Sequence, residues 1–299
     1  MPPHFLGIDV GTGSARAGVF DAEGAMLASA KRDIALFIEP GEIAEQSSDE
    51  QPLREALERQ AQSLRTQNAQ PDIVVRAGEP VRQILDQTSG ISYDLVLVGA
   101  RWTGASGHYW RSERTYEVIK AIKPPVLVAI GERKKLKRFL VCTGGKEFIE
   151  QAVRFTGEIA AAVGASVTLL HVMAEPPAIY VNLVELEENV DQLLESKSEL
   201  GTNLLRQKRE LERLAVPAEV RLRHGIVIDQ VFEEVRAGDY DLIVTGTSQA
   251  RGLLGHYIMG DLTRSILNRA NVPVLVARAG PPKVGRTLWK AFKGLFGAR

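Results

Sequence analysis

The residues best suited to chemistry in this chain lie in one glycine-rich loop, residues 246–261. Four glycines and one carboxylate mark this loop: Gly246, Gly252, Gly255, Gly260 and Asp261. Glycines allow backbone amides to approach a phosphate closely, and the start of a following helix adds positive potential. The loop is therefore the candidate cofactor-binding site.

No other group of side chains has the spacing of a catalytic or metal site. The five histidines have no cysteine or carboxylate partners at ligand spacing. No serine or cysteine lies in a recognisable nucleophile turn. His108–Tyr109 recurs as His256–Tyr257, which is typical either of a pocket wall or of loop packing. We therefore expect neither catalytic nor metal-binding residues.

The overall composition limits the class of protein. Lys plus Arg and Asp plus Glu are equal at 37 each, so no long-range attraction for nucleic acid is expected. The single cysteine, Cys142, lies in an apolar run expected to face the core, and one cysteine indicates a reducing compartment. No apolar run approaches the length of a membrane span, and Met1–Leu6 does not begin a secretion signal. These features predict a soluble, cytoplasmic protein.

The chain contains a repeat with an offset of about 147 residues. Tyr93–Leu95 recurs as Tyr240–Leu242, and Pro125–Ala129 recurs as Pro273–Ala277. Two upstream residues also match in each copy: Arg76 and Gly78 with Arg223 and Gly225. The period is far longer than that of a solenoid repeat, so each copy is expected to be a domain. A chain of 299 residues is long enough for two such domains.

Strands and helices are expected to alternate throughout the second copy. Apolar runs predict strands at 137–141, 166–172, 219–222, 241–245 and 274–277, and helical spacing predicts helices from 147, at 228–235 and at 261–268. A longer amphipathic stretch, Leu183 to Leu214, predicts a helix that breaks at Gly201. This alternation predicts a parallel sheet covered by helices on both faces. Ligands bind such sheets where the strand order reverses, so the turns after Val141 and Thr245 form the candidate pocket.

Residues 51–278 resemble the universal stress protein family, with a partial first copy and a complete second one. The resemblance implies a five-stranded, parallel, Rossmann-like sheet. The resemblance also implies an ATP site, since many members bind ATP through a Gly-x2-Gly-x9-Gly-Ser/Thr loop and an Asp after the first strand. It further implies that the last strands, Val126–Ile130 and Val274–Ala277, pair across the interface of a pseudo-dimer within the chain.

The nucleotide motif of the second copy departs from the family pattern at three places. Gly144 stands where the Asp is expected, and Ala250 or Gln249 replaces the middle glycine in a loop that is one residue too long. Asp261 replaces the hydroxyl residue, and a carboxylate there would repel a phosphate. In the first copy the loop begins at Gly99, and two further residues replace the last glycine and the hydroxyl residue: Ser112 and Glu113. We expect no cofactor, or ATP bound only weakly.

The first fifty residues belong to neither copy. Phe5–Asp21 and Ala25–Ala30 are typical of a β-meander, and together with Ala44–Ser48 they resemble the N-terminus of FGGY-type sugar kinases, especially ribulokinases. The resemblance implies a phosphate turn made of Asp9, Gly11, Thr12, Gly13, Ser14 and Arg16, with Asp9 facing a metal ion and the attacking water. After about residue 50 the resemblance stops, and the sugar site, catalytic base and adenosine site of such kinases have no counterpart in the sequence. We expect the meander either to replace the missing first strand and helix of the first domain or to extend from it.

The last residues form a basic, amphipathic tail. Residues 283–299 carry five basic and no acidic side chains. Five apolar residues fall on one face at helical spacing: Leu288, Trp289, Phe292, Leu295 and Phe296. Such a helix suits an anionic membrane surface or a groove on a protein partner, and it equally suits packing against the domains.

The sequence therefore predicts an α/β fold with two doubly wound parallel-sheet domains, the first of which has its opening strand and helix replaced by a β-meander. The predicted segments are 1–50 (kinase-like meander), 51–133 (partial first domain), 134–279 (second domain) and 280–299 (tail). The functional hypothesis is a tandem, non-catalytic regulatory or binding module in stress response, as an intrachain pseudo-dimer or a homo-oligomer. The alternative is an ATP-binding or ATP-hydrolysing protein, or a sugar-kinase remnant that uses the N-terminal turn.

Overall fold

The computed structural model describes the chain in fourteen stretches. They are residues 5–11, 14–20, 26–33, 36–39, 43–46, 50–65, 71–91, 93–100, 113–130, 136–144, 150–173, 190–249, 257–258 and 260–278. Of residues 5–53, the backbone alone is described. The tail, the middle of the glycine loop, the His108–Tyr109 pair and His256 lie outside these stretches.

Strands and helices alternate through most of the described chain. The strands are β1 (Phe5–Gly11), β2 (Ser14–Phe20), β3 (Met26–Asp33), β4 (Leu36–Glu39), β5 (Ile43–Gln46), β6 (Val96–Ala100), β7 (Val126–Ile130), β8 (Arg138–Cys142), β9 (Ser166–Met173), β10 (Ala218–His224), β11 (Leu242–Gln249), β12 (Tyr257–Ile258) and β13 (Val274–Arg278). The helices are α1 (Glu50–Arg65), α2 (Pro80–Gly90), α3 (Glu113–Ala121), α4 (Glu150–Val163), α5 (Val190–Glu195), α6 (Glu199–Arg213), α7 (Val227–Gly238) and α8 (Asp261–Arg269).

The second half of the chain forms a five-stranded parallel sheet in the order β10–β9–β8–β11–β13. Each predicted strand of this half is present, with ends shifted by a few residues. The apolar strands alternate their side chains between two cores, as the two-residue period of a strand requires. Phe139 and Val141 face the core formed with α4 and α6, whereas Leu140 and Cys142 face the core formed with α7 and α8.

The long amphipathic stretch breaks earlier than predicted. The break separates α5 from α6 at residues 196–198, and Gly201 lies inside α6. The Ser196 hydroxyl donates to the Leu193 carbonyl, and the Ser198 hydroxyl accepts a hydrogen bond from the Gly201 amide as the N-cap of α6. The break at Gly201 was therefore a wrong prediction, because the two serines compete for the backbone groups of the helix.

The sheet continues into the first half of the chain through β13. Strand β13 pairs antiparallel with β7, with Val274 opposite Val128, and β6 follows parallel to β7. The predicted pairing of the last strands is confirmed. The second core also crosses this junction, because Ile119 and Val126 pack in the same cluster as Ile266 and Val274.

The N-terminal residues form separate small sheets. β1, β2 and β3 make the predicted antiparallel meander, and β4 pairs with β5. Cα atoms of β1 and β6 approach within 8 Å of each other, so the meander lies next to the outer strand of the large sheet.

Candidate functional site

The site is the edge of the sheet where the strand order reverses. From β8 the chain adds β9 and β10 on one side and then returns to add β11 and β13 on the other. Parallel pairing of β8 with β11 places Val141 opposite Val244, so the turn at Thr143–Gly144 and the turn that begins at Gly246 leave the sheet side by side. We call this region the carboxyl edge: Thr143, Gly144, Gly246, Thr247 and the first turn of α8. It is where ligands bind in sheets of this kind.

The first turn of α8 lies next to the first glycine of the loop. Thr263 donates a hydrogen bond from Oγ1 to the Gly246 carbonyl at 3.1 Å and bonds the Thr245 hydroxyl at 2.9 Å. Gly260 is the N-cap of α8 and has no side chain with which to cap it. Asp261 is exposed in the first turn, where its carboxylate complements the positive end of the helix dipole. An anionic ligand would have to compete with this carboxylate.

The threonine hydroxyls of the carboxyl edge are used inside the protein. Thr143 donates to Oε1 of the fully buried Gln207 at 2.8 Å. Thr247 Oγ1 accepts from Arg278 Nη1 at 3.0 Å and lies 3.4 Å from the Ala277 carbonyl oxygen. The hydroxyls of Thr143 and Thr247 are thus hydrogen-bonded to groups inside the protein.

Arg278 connects the carboxyl edge to the first half of the chain. This buried guanidinium donates to the carbonyl oxygens of Pro124 at 3.0 Å and Ile122 at 3.1 Å, and also to that of Ile119. These carbonyls belong to the end of α3 and the turn that follows it, where a helix leaves its last acceptors without partners. One side chain therefore bonds both Thr247 and the end of α3.

His171 and Cys142 lie next to the carboxyl edge. His171 donates from Nδ1 to the Thr143 carbonyl at 2.9 Å. Burial raises the pKa of the Cys142 thiol to about 12, which leaves almost no thiolate at neutral pH. Among the described residues, no three His, Cys, Asp or Glu side chains are grouped closely enough to hold a metal ion. Within the same stretches, no helix is long and apolar enough to cross a membrane.

The structure places only some of the predicted site residues at the carboxyl edge. Gly246, Gly260 and Asp261 lie there, whereas Gly252 and Gly255 lie outside the described residues. In the first half, Gly99 lies in β6 and Glu113 begins α3, while Ser112 lies outside the described residues.

The predicted N-terminal phosphate turn joins β1 to β2. The backbone pairs Gly11 with Ser14 and Asp9 with Arg16 across the hairpin. Thr12 and Gly13, at the turn itself, lie outside the described residues. The hairpin is therefore present, and its phosphate-binding role stays a prediction.

Sequence reasoning missed an ionic network around the buried Glu234 carboxylate, between β10 and α7. The Glu234 carboxylate accepts hydrogen bonds from Arg221 at 2.9 Å, Arg223 at 2.8 Å and the Tyr240 hydroxyl at 2.7 Å. Burial alone would raise the pKa of Glu234, but the bonds from Tyr240 and Arg223 and the charges of both arginines outweigh it and hold the pKa below its usual value. Burial and the nearby carboxylate raise the pKa of Tyr240 to about 12.

Three of these residues, Arg223, Glu234 and Tyr240, have hydrogen-bonded counterparts in the first half at the repeat's offset. Arg76 donates to the Gln87 side chain, which donates in turn to the Tyr93 hydroxyl at 2.7 Å. The recurrence of Arg76 and Tyr93 as Arg223 and Tyr240 was the available signal.

Comparisons with known proteins agree with this fold. Residues 135–278 match the model of the universal stress protein family. A universal stress protein from Archaeoglobus fulgidus is 16% identical, with a TM-score of 0.58 over 77% of this chain and 79% of that one. A Pseudomonas aeruginosa protein assigned to the same family is 15% identical, with a TM-score of 0.55 over 80% of this chain and 82% of that one. No curated protein sequence matches the chain. Residues 135–278 thus match the universal stress protein family model, and the chain shares the fold of these two solved structures.

Proposed function

We propose that the chain is a cytoplasmic tandem universal stress protein that acts in stress response as a non-catalytic regulatory or binding module. In this proposal its nucleotide loop is degenerate, so that the protein binds no cofactor or holds ATP only weakly. The two halves act as an intrachain pseudo-dimer.

The carboxylate at the start of α8 is the observation that carries this proposal. A phosphate placed over Gly260 would meet Asp261 in the first turn of the helix. In the turn after β8, Gly144 offers no carboxylate for a nucleotide or its metal ion. The hydroxyls of Thr143 and Thr247 make hydrogen bonds inside the protein, which supports a non-catalytic role.

Matching local structure in the two halves supports the tandem arrangement. Gly78 and Gly225 both adopt left-handed φ angles, of 122° and 121°, at the turn before a helix. An Arg, a Gln or Glu and a Tyr bond in the same order in each half. Local geometry of this kind follows from shared sequence, so both halves are proposed to descend from one domain.

A nucleotide titration followed by thermal unfolding tests the proposal. A ligand at 100 times its dissociation constant adds about 2.7 kcal/mol of stability. We expect no change in Tm with millimolar ATP, with or without magnesium. A rise in Tm of several degrees that Asp9→Asn leaves unchanged would contradict the degenerate loop. A rise that Asp9→Asn abolishes would assign ATP to the N-terminal turn of the kinase-remnant alternative.

Restoring the family residues is the converse test. The double variant Ala250→Gly with Asp261→Ser removes the carboxylate from the loop and should strengthen ATP binding. Asp229→Ser is the matched control, because Asp229 also lies in the first turn of a helix, α7, away from the loop. Unchanged ATP affinity in the double variant would show that the loop is not the nucleotide site.

A further inference from the structure

Residues 71–77 of the first half are the sequence counterpart of strand β10, but they belong to no strand. The repeat aligns them with Ala218–His224, the whole of β10. Their side chains alternate between half-buried and exposed from Pro71 to Arg76, which is the two-residue period of an extended backbone. Three consecutive β-branched residues, Ile73–Val75, also favour an extended chain. We call residues 71–77 the extended segment.

The N-terminal meander takes the place in which this segment would otherwise pair. Strand β1 lies beside β6, as β8 lies beside β11 in the second half. Strands β2 and β3 follow β1 in the order in which β9 and β10 follow β8. In the second half β10 pairs with β9, whereas both edges of β2 are already taken by β1 and β3. The extended segment is therefore left without the partner that its counterpart has.

The backbone groups of the extended segment are available for pairing. Among the described residues, no backbone amide or carbonyl between 72 and 77 hydrogen-bonds to another group of the chain. By contrast, β10 pairs with β9 along its whole length. A row of unpaired backbone groups on an extended, β-branched stretch is a template for a strand of another chain.

The exposed side chains of the segment are arranged symmetrically about Val74. Asp72, Val74 and Arg76 share one face because they are two residues apart, and all three are exposed, Val74 to 54%. In an antiparallel pair of two such segments centred on Val74, Asp72 of each copy lies opposite Arg76 of the other. Val74 lies opposite the same residue of the other copy. The segment is thus complementary to itself across a two-fold axis, with two pairs of opposite charge and one apolar pair.

The matching positions of β10 are satisfied within their own chain. Arg221 stands at the position of Val74 and pairs with Glu219 and Glu234. An exposed valine gains no such partner, but opposite a second valine it buries apolar surface. Arg76 donates to Gln87, and its guanidinium has further donors for a carboxylate of a second copy.

We propose that two copies of this chain associate through their extended segments, paired antiparallel about a two-fold axis at Val74. One strand pair buries less surface than a standard protein interface, so the dimer is weak and forms at micromolar or higher concentrations. The pairing depends on the first half of the chain alone, and it holds whether or not the carboxyl edge binds ATP.

Reversing charges in the full chain tests the pairing. Asp72→Arg and Arg76→Asp each place like charges opposite one another, so each variant alone should dimerise at least about tenfold more weakly than the unaltered chain. An equimolar mixture of the two variants should regain the affinity, because opposite charges face each other again in the mixed dimer. Sedimentation equilibrium over a series of concentrations measures the association constant. Asp229→Arg, the same reversal at an exposed residue of the second half, is the control and should leave the constant unchanged.

Four results of this experiment would overturn the proposal. They are an unaltered chain that stays monomeric at millimolar concentration, species larger than a dimer, single variants that dimerise as tightly as the unaltered chain, and a mixture that does not regain affinity. Larger species would assign the segment to open-ended strand stacking. A chain that stays monomeric would leave the segment to the strand of a different protein.

Disulfide trapping tests the register of the pair. Facing Cα atoms of antiparallel strands lie about 4.5–5.5 Å apart, which a disulfide can span, so Val74→Cys should cross-link two copies under mild oxidation. Ile226→Cys is the matched control, since Ile226 is an apolar residue of the second half and is 68% exposed. The native Cys142 does not interfere, because its thiol is buried with a pKa raised to about 12. Equal rates of cross-linking in the two variants would contradict pairing at Val74.

Hydrogen exchange reports on the backbone itself. The amides of residues 72–76 should exchange at least several-fold more slowly at concentrations where the dimer prevails than in dilute solution. In Asp72→Arg they should exchange rapidly at both concentrations. Exchange of these amides that does not depend on the concentration of the unaltered chain would refute strand pairing.

Discussion

Replacing Arg278 should loosen the junction between the two halves of the chain. Its guanidinium donates four hydrogen bonds, to Thr247 and to the carbonyls of Ile119, Ile122 and Pro124. Each buried bond contributes about 1 kcal/mol net, so Arg278→Met should lower the free energy of unfolding by about 4 kcal/mol. Arg278→Lys keeps the charge, but its single ammonium group cannot reach acceptors spread around a planar fork, and about 2 kcal/mol should be lost.

Urea unfolding followed by far-ultraviolet circular dichroism measures these changes, with equal denaturant slopes required for comparison. Arg213→Lys is the control, because Arg213 is exposed and pairs with Glu210 on the surface of α6, where changes stay within about 0.5 kcal/mol. Hydrogen exchange at residues 113–130 should accelerate in the Arg278 variants alone. If Arg278→Lys has the same free energy of unfolding as the unaltered protein, the planar geometry of the arginine guanidinium does not stabilise the junction.

Three further predictions concern the second half. Glu234→Gln should lower the free energy of unfolding by about 2–3 kcal/mol at pH 7. Because the pKa of Glu234 is lowered in the folded state, the gap in unfolding free energy between variant and unaltered protein should shrink as the pH falls below the ordinary pKa of 4.5. A gap that does not change with pH in urea titrations would contradict this. Cys142 should resist thiol reagents at pH 8 until urea unfolds the protein, and rapid labelling of the native state would refute its burial. Gly201→Ala should lower the free energy of unfolding by about 1–3 kcal/mol, because the added methyl would collide with the Leu193 carbonyl. Gly90→Ala, in the first half, is the control: its methyl meets no atom within 4 Å, and urea unfolding should show no change.

The sheet of the second half could be predicted because each of its strands is a continuous apolar run followed by a helical pattern. Such runs fix both the element type and the parallel pairing, and the strand reversal then locates the carboxyl edge. The helix break at Ser196–Ser198 was missed because side-chain hydrogen bonds to nearby backbone decide it, and apolar spacing does not report them.

The junction at Arg278 could not be predicted from the sequence. Its partners Pro124 and Ile119 lie 154 and 159 residues earlier in the chain, and an arginine at the end of a strand usually faces water. The network around Glu234 could not be predicted for another reason. The first half has Gln87 at the matching position, so the repeated Arg and Tyr are not accompanied by a repeated acidic residue.

The ladder between β7 and β13 has an evolutionary consequence. In a symmetric dimer of two identical chains, every substitution appears on both sides of such a ladder, and each change must suit both. Here both strands belong to one polypeptide, so Val128 and Val274 can vary separately. Contact between the halves also persists at any dilution, because covalent linkage holds the partners together. A substitution at the start of α3 or of α8, at Glu113 or Asp261 for example, therefore need not be matched by one in the other half.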